Sequence, residues 1–324
     1  MTPAIKRTQA TTFDTGRRGA GPHIQSIGQS SQESVRASAG TTSPTARKLI
    51  YIVGSSHSGS TVLDMLLTTG GKAVGLGQVW TVLREDPART KARVCSCGAP
   101  APECAIWGPV MERLLRLPDR APPQDRYRIV LESVGRLHGP EISVIDSSKH
   151  VEYLAILASE MPDVNLTVLH NIKDVRPFTI STLDNLARKS LGRALPEKIF
   201  YQWYRDNRAS YALAARLLGR PPVRVMYEGL CLATEAVAAR LAEALGESYI
   251  DVDTALDCGH THIISGNRLR LHDAVKAKRL AYDCRWLVRS EWLRPYMLMP
   301  MVRHYNEQCL RELGNVVWHR GCNW

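Results

Sequence analysis

The chain has 324 residues, enough for one large domain or two small ones. Its 44% hydrophobic and 23% charged residues are typical of a globular protein, and no run of about 18 apolar residues is present to span a membrane. The net charge of +11 favours an anionic ligand, such as a nucleotide, a nucleic acid or an acidic glycan.

Residues 1–47 are rich in Ser, Thr, Gly, Ala, Gln and Arg and contain almost no large apolar side chains. Such a segment buries too little surface to offset its ordering entropy, so we predict a disordered basic tail before a domain at 48–324. A transit peptide is the alternative, although Asp14, Glu33 and weak amphipathicity favour the tail. Because the segment lacks an apolar signal core, we expect a cytoplasmic protein.

The first predicted elements are a strand, a loop and a helix. Leu49–Val53 is a run of aliphatic and aromatic residues, which predicts a strand buried on both faces. Gly54–Gly59 predicts a tight turn, and apolar residues at helical spacing predict a helix over Ser60–Leu67. The backbone N–H groups of such a loop, together with the positive end of the helix dipole, favour an anion.

The loop has the spacing of a phosphate-binding loop with one change. In the nucleoside-triphosphate motif G-x-x-x-x-G-K-S/T, Gly54, Gly59 and Thr61 fit, but Ser60 occupies the lysine position. Because that lysine reaches the β- and γ-phosphates, its absence favours a ligand with a shorter anionic group and disfavours ATP or GTP hydrolysis. An ordinary strand-to-helix turn is the alternative interpretation.

The sequence GSSHSGSTVL from Gly54 resembles the 5′-phosphosulfate-binding loop of sulfotransferases that use 3′-phosphoadenosine 5′-phosphosulfate (PAPS). The resemblance is to a broad, mostly bacterial family whose loop reads roughly G-x-x-R-S-G-S-T-L-L. It implies a three-layer, P-loop-like α/β fold with a mainly parallel central sheet flanked by helices, and PAPS as co-substrate without a metal. By the same resemblance, the residues expected to bind the 5′-phosphate end are Ser56, Ser58, Gly59, Ser60 and Thr61.

His57 stands where the family has an arginine or a lysine. The resemblance implies that His57 lies at the oxygen that bridges phosphate and sulfate. A neighbouring anion raises the pKa of a histidine, so a protonated His57 is expected to neutralise the leaving phosphate.

Ala73–Gly77 is predicted to be a second short strand or the loop below it, and Gln78 follows. The family often has a glutamate here that serves as the catalytic base. A glutamine does not accept a proton usefully, so this position departs from the family pattern.

Cys95, Cys97 and Cys104 are the only closely spaced cysteines among eight. A zinc site would need a fourth ligand, and no nearby His or Cys offers one at a familiar spacing. We therefore expect a disulfide or simple packing here, and no metal.

A helix is predicted over Arg126–Leu137 and a buried strand over Ile142–Ile145, followed by a helix over Val151–Met161. The residues between this strand and the second helix are Asp146-Ser147-Ser148-Lys149-His150, which resemble a D-x-S-K stretch of the family. Lys149 is expected to contact the transferred sulfuryl group or a cofactor phosphate, and His150 and Asp146 are candidate bases. A helix cap at Asp146 with a solvated Lys149 is the alternative.

The next strand is predicted over Val164–His170, before a helix that ends at Lys189. Lys173 and Ser181, eight residues apart, resemble the arginine and serine with which sulfotransferases bind the 3′-phosphate of the cofactor. Lysine lacks the bidentate fork of arginine, so we expect weaker binding. A charged helix start is the alternative.

Later predicted elements are a helix over Pro196–Leu218, a last clear strand over Val223–Tyr227, a helix over Thr234–Leu245, and helical structure over Asp283–Leu313. Residues 259–270 resemble an H-x-x-S-G-N-x-x-R loop that closes over the cofactor. Gly266, Asn267 and Arg270 are therefore expected to contact it, and His260 and His262 to belong to this lid rather than to a metal site.

The expected reaction is transfer of a sulfuryl group from PAPS to a hydroxyl or amine of a small-molecule or glycan acceptor that the sequence does not identify. One alternative is a catalytically weakened nucleotide-binding regulatory module of the same fold. A Mg-dependent P-loop kinase is disfavoured by Ser60. Nucleic-acid binding is not expected, because only the net charge would support it.

Overall fold

The computed structural model describes residues 45–118, 120–192, 194–256, 259–271 and 280–318. The strands are β1 (Lys48–Val53), β2 (Ala73–Gly77), β3 (Ser143–Lys149), β4 (Asn165–Ile172), β5 (Val223–Met226) and β6 (Thr261–Ser265). They form one sheet in the order β5-β4-β1-β3-β2-β6, and every pairing among the described strands is parallel. The predicted α/β class with a mainly parallel sheet is confirmed.

Helices connect the strands. They are α1 (Ser60–Leu66), α2 (Val79–Arg84), α3 (Pro87–Lys91), α4 (Trp107–Leu114), α5 (Pro123–His138), α6 (Val151–Glu160), α7 (Val175–Arg188), α8 (Pro196–Leu218), α9 (Tyr227–Leu232), α10 (Thr234–Leu245), α11 (Leu293–Leu298) and α12 (Pro300–Trp318). Short 3-10 turns lie at Ala101–Glu103, Arg268–Leu271 and Arg285–Val288. Among the described residues, no helix combines the length and apolar content needed to cross a bilayer.

Strand β1 lies between β3 and β4, and alternate side chains enter two separate cores. Leu49, Tyr51 and Val53 pack with α2, α4, α5 and α6 on one face of the sheet. Ile50 and Ile52 pack with α1 and α10 on the other face. Burial on both faces explains why this strand reads as an uninterrupted apolar run, as the sequence predicted.

Residues 45–47, at the end of the predicted tail, contact the domain. Ala46 is buried, and its N–H donates a hydrogen bond to the carbonyl oxygen of Leu131 on α5. The Asn165 N–H likewise donates to the Arg47 carbonyl oxygen. Residues 45–47 are therefore packed against the domain; the rest of the predicted tail, 1–44, lies outside the described residues.

The predicted lid at residues 259–270 is wrong at its centre, because Thr261–Ser265 forms strand β6 beside β2. Backbone hydrogen bonds from Gly75 N to His260 O and from Gln78 N to Ser265 O join the two strands. The strand has five residues, too few for its pattern alone to distinguish it from a loop. Val223–Met226 is thus not the last strand.

Asp64 on α1 links the glycine loop to two strand ends. Its carboxyl group is completely buried and accepts hydrogen bonds from Gly77 N (3.1 Å) and Ser147 Oγ (2.8 Å). A Cβ atom added at Gly75 would lie 2.2 Å from Asp64 Oδ1, so β2 approaches this carboxyl through a glycine. Burial raises the pKa of Asp64 to about 8, which keeps the group mostly neutral at pH 7.

We expect Asp64→Ala to lower the free energy of unfolding by about 1–3 kcal/mol, since it leaves the buried Gly77 N–H without an acceptor. Asp64→Asn keeps an acceptor oxygen and is the matched control. Chemical denaturation of both variants measures the difference; equal stability of the two would contradict the role assigned to the carboxyl oxygen.

The wild type and Asp64→Asn together test the raised pKa of Asp64. The native state binds a proton at Asp64 more tightly than the unfolded state, so the wild type should lose stability relative to Asp64→Asn as pH rises from about 5 to about 8. A difference between the two proteins that stays constant over this range would show that the pKa is not raised.

Candidate functional site

The carboxyl ends of β1, β2 and β3 open into a cavity of about 1030 Å³. The glycine loop contributes one wall, with Ser56, His57, Gly59, Ser60 and Thr61. Gln78 after β2 and Lys149 at the end of β3 line the adjoining wall, and Gly266 and Asn267 after β6 close that side. Residues from three separate sequence predictions therefore meet in one cavity, at the edge where parallel sheets bind ligands.

The backbone of the loop is held by close contacts that only glycine permits. Gly54 has φ 138°, and a Cβ atom there would lie 2.1 Å from the Asn171 carbonyl oxygen of β4. Gly59 has φ 85°, and its Cβ would lie 2.4 Å from Tyr227 Cδ2. The Asn171 side chain donates to the carbonyl oxygen of Ser58 at 2.8 Å. The loop is thus pressed against β4 and α9, which fixes its course before any ligand binds.

Ser58 is fully buried and does not line the cavity, unlike the other predicted loop residues. Its hydroxyl has no hydrogen-bond partner within the part of the chain that the structure describes. The expected phosphate contact of Ser58 stays a prediction.

His57 sits at the tip of the loop with φ 70°, a left-handed conformation that is uncommon for a residue with a side chain. Its pKa is lowered to about 4, first by burial and then by the charges of Lys149, Lys189, Lys173 and Arg188. With these neighbours His57 is neutral near pH 7. The protonated form expected from the sequence requires an anion in the cavity.

Lys149 also has a left-handed backbone, with φ 72°. The Tyr51 hydroxyl donates to the carbonyl oxygen of the next residue, His150, at 2.8 Å and holds the strand end in place. Burial lowers the pKa of Lys149 to about 8, although Asp64 and Asp146 oppose the shift. Lys149 is thus a cation at pH 7 that burial destabilises, and an anionic ligand would favour its charged form.

Helix α7 supplies a wall that the sequence only partly indicated. Ser181, Asp184, Asn185, Arg188 and Lys189 all face the cavity. Successive steps of three to four residues place Ser181, Asp184 or Asn185, and Arg188 on one face of the helix, and Lys189 follows its last residue. A helical projection from the predicted Ser181 would therefore have found them. Asn185 Nδ2 lies 3.3 Å from His57 Nε2 and connects this wall to the loop.

Arg285 completes the cationic lining from a segment 101 residues after Asp184, to which it donates a hydrogen bond. Sequence spacing gives no signal for this contact. Among the lining residues that the structure describes, the cations are Lys149, Arg188, Lys189 and Arg285, and the one carboxylate, Asp184, is bound to Arg285 and Arg289. The cavity therefore suits a ligand with more than one negative charge.

Lys173 does not line the cavity. It is buried, with Nζ 3.1 Å from Asp283 Oδ2 and 4.5 Å from the centre of the Tyr227 ring. Ser181, the residue with which Lys173 was expected to bind the 3′-phosphate, lines the cavity, whereas Lys173 does not. That role stays a prediction, and Arg188, Lys189 and Arg285 are the cations that share the cavity with Ser181.

Arg270 is directed at the backbone rather than at the cavity. Its Nε donates to Ile263 O at 2.9 Å and its Nη2 to Ile264 O at 3.1 Å, so it supports strand β6. Of the three residues expected to contact the cofactor in this region, Gly266 and Asn267 line the cavity and Arg270 does not.

Neither candidate base of the 146–150 stretch lines the cavity. Asp146 is fully buried and accepts hydrogen bonds from Tyr127 Oη (3.0 Å) and Ser148 N (2.7 Å). His150 is exposed just before α6. Alternate residues of a strand point to opposite faces, which is why neighbours of Lys149 are turned away from it.

A second group of side chains lies apart from this lining. Cys95, Cys97 and Cys104 come together with His262, and their ligand atoms lie within 4.8 Å of one another. The sequence offered no fourth ligand at a familiar spacing, and the structure supplies one from β6. Cys104 and His262 are 158 residues apart, so no local spacing could have indicated the pairing.

Comparison with known proteins gave structural neighbours only, since no family model and no curated protein matches the chain. A sulfotransferase domain of a Synechococcus olefin synthase aligns with a TM-score of 0.41 and 14% identity, covering 79% of this chain and 96% of that chain. A sulfotransferase from Mycobacterium avium aligns with a TM-score of 0.43 and 15% identity, covering 82% and 77%. One from Alicyclobacillus acidocaldarius gives 0.37 and 17%, covering 72% and 98%.

The neighbours are sulfotransferases, the family that the loop sequence resembles. Their TM-scores are below 0.5, however, and identities of 14–17% are too low to transfer an activity. The function of this chain has to be inferred from its own cavity.

The charge around His57 can be tested without a ligand. We expect Lys149→Met to raise the pKa of His57 toward its ordinary value, because it removes the first of the charges that oppose protonation. The histidine ring signals in a pH titration by NMR measure this shift. Lys72→Met is the control, since Lys72 precedes β2 at the opposite end of the sheet, and an equal shift in both variants would contradict the placement of Lys149.

Proposed function

We propose that the chain is a PAPS-dependent sulfotransferase, which moves a sulfuryl group to a hydroxyl or amine of a small-molecule or glycan acceptor. The observation that carries the proposal is a phosphate-binding loop without its lysine, at the wall of a cavity whose other cations come from β3, α7 and Arg285. A triphosphate site needs the missing lysine; a monophosphate with further anionic groups does not.

The cavity has the size and charge for such a donor. Its volume of about 1030 Å³ is slightly above the range of ~300–1,000 Å³ for sites that enclose a small ligand, which leaves room for part of an acceptor. In the proposal, Ser60 and Thr61 with the loop backbone bind the 5′-phosphate. Ser181 with Arg188, Lys189 and Arg285 binds the 3′-phosphate.

The transfer is a displacement at sulfur. The acceptor oxygen or nitrogen forms a bond to sulfur, the bond from sulfur to the bridging oxygen breaks, and adenosine 3′,5′-bisphosphate leaves. Lys149 is the side chain proposed to offset the negative charge of the sulfuryl group and the leaving phosphate. Catalysis of this kind depends mainly on position and charge, by analogy with phosphoryl transfer.

The proton of the acceptor needs a base. Gln78 cannot serve, and Asp184 is bound to two arginines. Among the described lining residues this leaves His57, whose neutral imidazole is the form that accepts a proton. The low pKa of His57 makes it a weak base until the donor's negative charges raise it.

The second candidate function is a nucleotide-binding module with little or no turnover. The observation that favours it is Gln78, an amide on the cavity wall where an acid would be needed. Calorimetric titration with adenosine 3′,5′-bisphosphate and with ATP tests the site itself. Tighter binding of the bisphosphate supports both functions, and preference for Mg-ATP overturns both.

Transfer of radiolabelled sulfate from PAPS to a panel of hydroxyl and amine acceptors separates the two functions. Labelled product is expected for the enzyme, and its loss in His57→Ala with retained bisphosphate binding would assign the base. Binding without labelled product for any acceptor would favour the module.

We expect Gly59→Ala to weaken binding of adenosine 3′,5′-bisphosphate by at least about tenfold, because its methyl group would collide with Tyr227 and displace the loop. Gly71→Ala is the matched control, since Gly71 also has a left-handed φ of 71° but has no atom within 4 Å of its Cβ position. Titration calorimetry on both variants measures their affinities for the bisphosphate. Unchanged affinity in Gly59→Ala would show that the loop does not bind the ligand.

We also expect Arg285→Ala to weaken binding of the bisphosphate by about tenfold while leaving adenosine 5′-phosphate nearly unaffected, since Arg285 is assigned to the 3′-phosphate. Arg289→Ala is the control, because Arg289 also binds Asp184 but does not line the cavity. Competition binding with the two nucleotides measures the difference. Equal losses for both nucleotides would argue against this assignment.

A further inference from the structure

The three cysteines and one histidine near β6 have the distances of a metal site. Cys104 Sγ lies 3.6 Å from Cys95 Sγ and 3.2 Å from His262 Nδ1, and all four ligand atoms are within 4.8 Å of one another. Tetrahedral zinc, with Zn–S of about 2.3 Å and Zn–N of about 2.0–2.1 Å, separates its ligand atoms by roughly 3.5–3.8 Å. A small inward adjustment around one central ion therefore satisfies all four.

A disulfide does not explain the cluster. The sulfur atoms of Cys95 and Cys104 are 3.6 Å apart, whereas a disulfide bond is about 2.05 Å long, and all three cysteines are free. Packing alone does not explain it either, because Cys97 is exposed and contributes little to the core. A buried imidazole nitrogen directed at a buried thiol is a polar arrangement that a metal ion would use.

The backbone holds the ligands in place without the ion. Around the first two ligands, Cys95 N donates to Ala99 O and Gly98 N donates to Cys95 O, both at 2.9 Å. Ser96, between the two ligand cysteines, joins the turn to β6: its Oγ donates to Thr261 O and accepts from Ile263 N, each at 2.8 Å.

The third cysteine is tied to the same strand. Cys104 ends the 3-10 turn at Ala101–Glu103, and the Trp107 indole N–H donates to the His262 carbonyl oxygen. Both cysteine segments are thus hydrogen-bonded to the strand that carries His262, which is the supporting shell that metal ligands need.

We propose that Cys95, Cys97, Cys104 and His262 bind one Zn²⁺ ion. Thiolate and imidazole ligands select zinc over Mg²⁺ or Ca²⁺, which prefer oxygen ligands. Binding releases the three thiol protons to solvent and leaves the histidine neutral. Four protein ligands fill the tetrahedral coordination, so no position remains for a substrate and the site is structural.

The ion would fix one edge of the cavity. It joins residues 95–104 to β6, and β6 leads directly to Gly266 and Asn267 on the cavity wall. The Asn267 N–H contacts Thr61 Oγ1 at 3.4 Å, so this edge reaches the glycine loop. The zinc site does not depend on the proposed activity, since its ligands do not line the cavity.

The first test is the metal content of the full chain after purification without added metal, measured by mass spectrometry of elements. We expect about one zinc per chain. Exchange with Co²⁺ should give the absorption bands of tetrahedral cobalt and a thiolate-to-cobalt charge-transfer band.

Cys97→Ser is the decisive variant, because Cys97 is exposed and its loss should not disturb the core. We expect weaker zinc retention and a charge-transfer band reduced by about one third, since one of three thiolates is lost. Cys284→Ser, another exposed cysteine, is the matched control and should behave as the wild type. Should Cys97→Ser fail to fold, the cobalt spectrum of the wild type still tests whether thiolates bind the metal.

Three results would overturn the proposal. The first is wild-type protein without zinc whose Co²⁺ form shows no thiolate band. The second is a Cys95–Cys104 disulfide found by mass spectrometry in protein purified without reductant. The third is an equal loss of zinc in Cys97→Ser and Cys284→Ser.

Discussion

The architecture of the cavity depends on how closely the glycine loop approaches the elements beneath it. Gly54 meets the backbone of β4 and Gly59 meets the ring of Tyr227 at distances that leave no room for a side chain. The backbone of the loop therefore has one fixed course next to the end of β1. Asp64, buried one turn into α1, accepts hydrogen bonds from Gly77 and Ser147 and so holds the ends of β2 and β3 beside the same helix. Everything that lines the cavity is arranged around this fixed turn.

Charge is the second property that the cavity shares. Burial, reinforced by the charges of nearby cations, keeps His57 neutral, and burial lowers the pKa of Lys149 to about 8. Both lowered pKa values mean that the cationic forms are unfavourable without an anion, and a bound polyanion would raise both pKa values. These buried charges thus lower the stability of the folded protein and keep the cavity positive before a ligand binds. Sites that stabilise negative charge are generally pre-organised in this way.

The cysteine–histidine cluster has a different relation to the cavity. It lies beside β6, which among the described strands is at the edge of the sheet and pairs with β2 alone. An edge strand of five residues has few backbone hydrogen bonds to hold it, so extra links to residues 95–107 matter for its position. The same short strand leads to Gly266 and Asn267, which connects the cluster to the cavity.

The sequence by itself determined the glycine loop and the placement of Lys149 near a strand end, because local hydrophobic runs and glycine spacing encode them. The parallel α/β class followed from the resemblance of that loop to the one of sulfotransferases. Tertiary structure alone decided which distant residues meet. It turned Lys173 toward Asp283, brought Arg285 to the cavity and placed His262 beside three cysteines. Such contacts join segments about a hundred or more residues apart, and their energies depend on burial and on partners that no local pattern records.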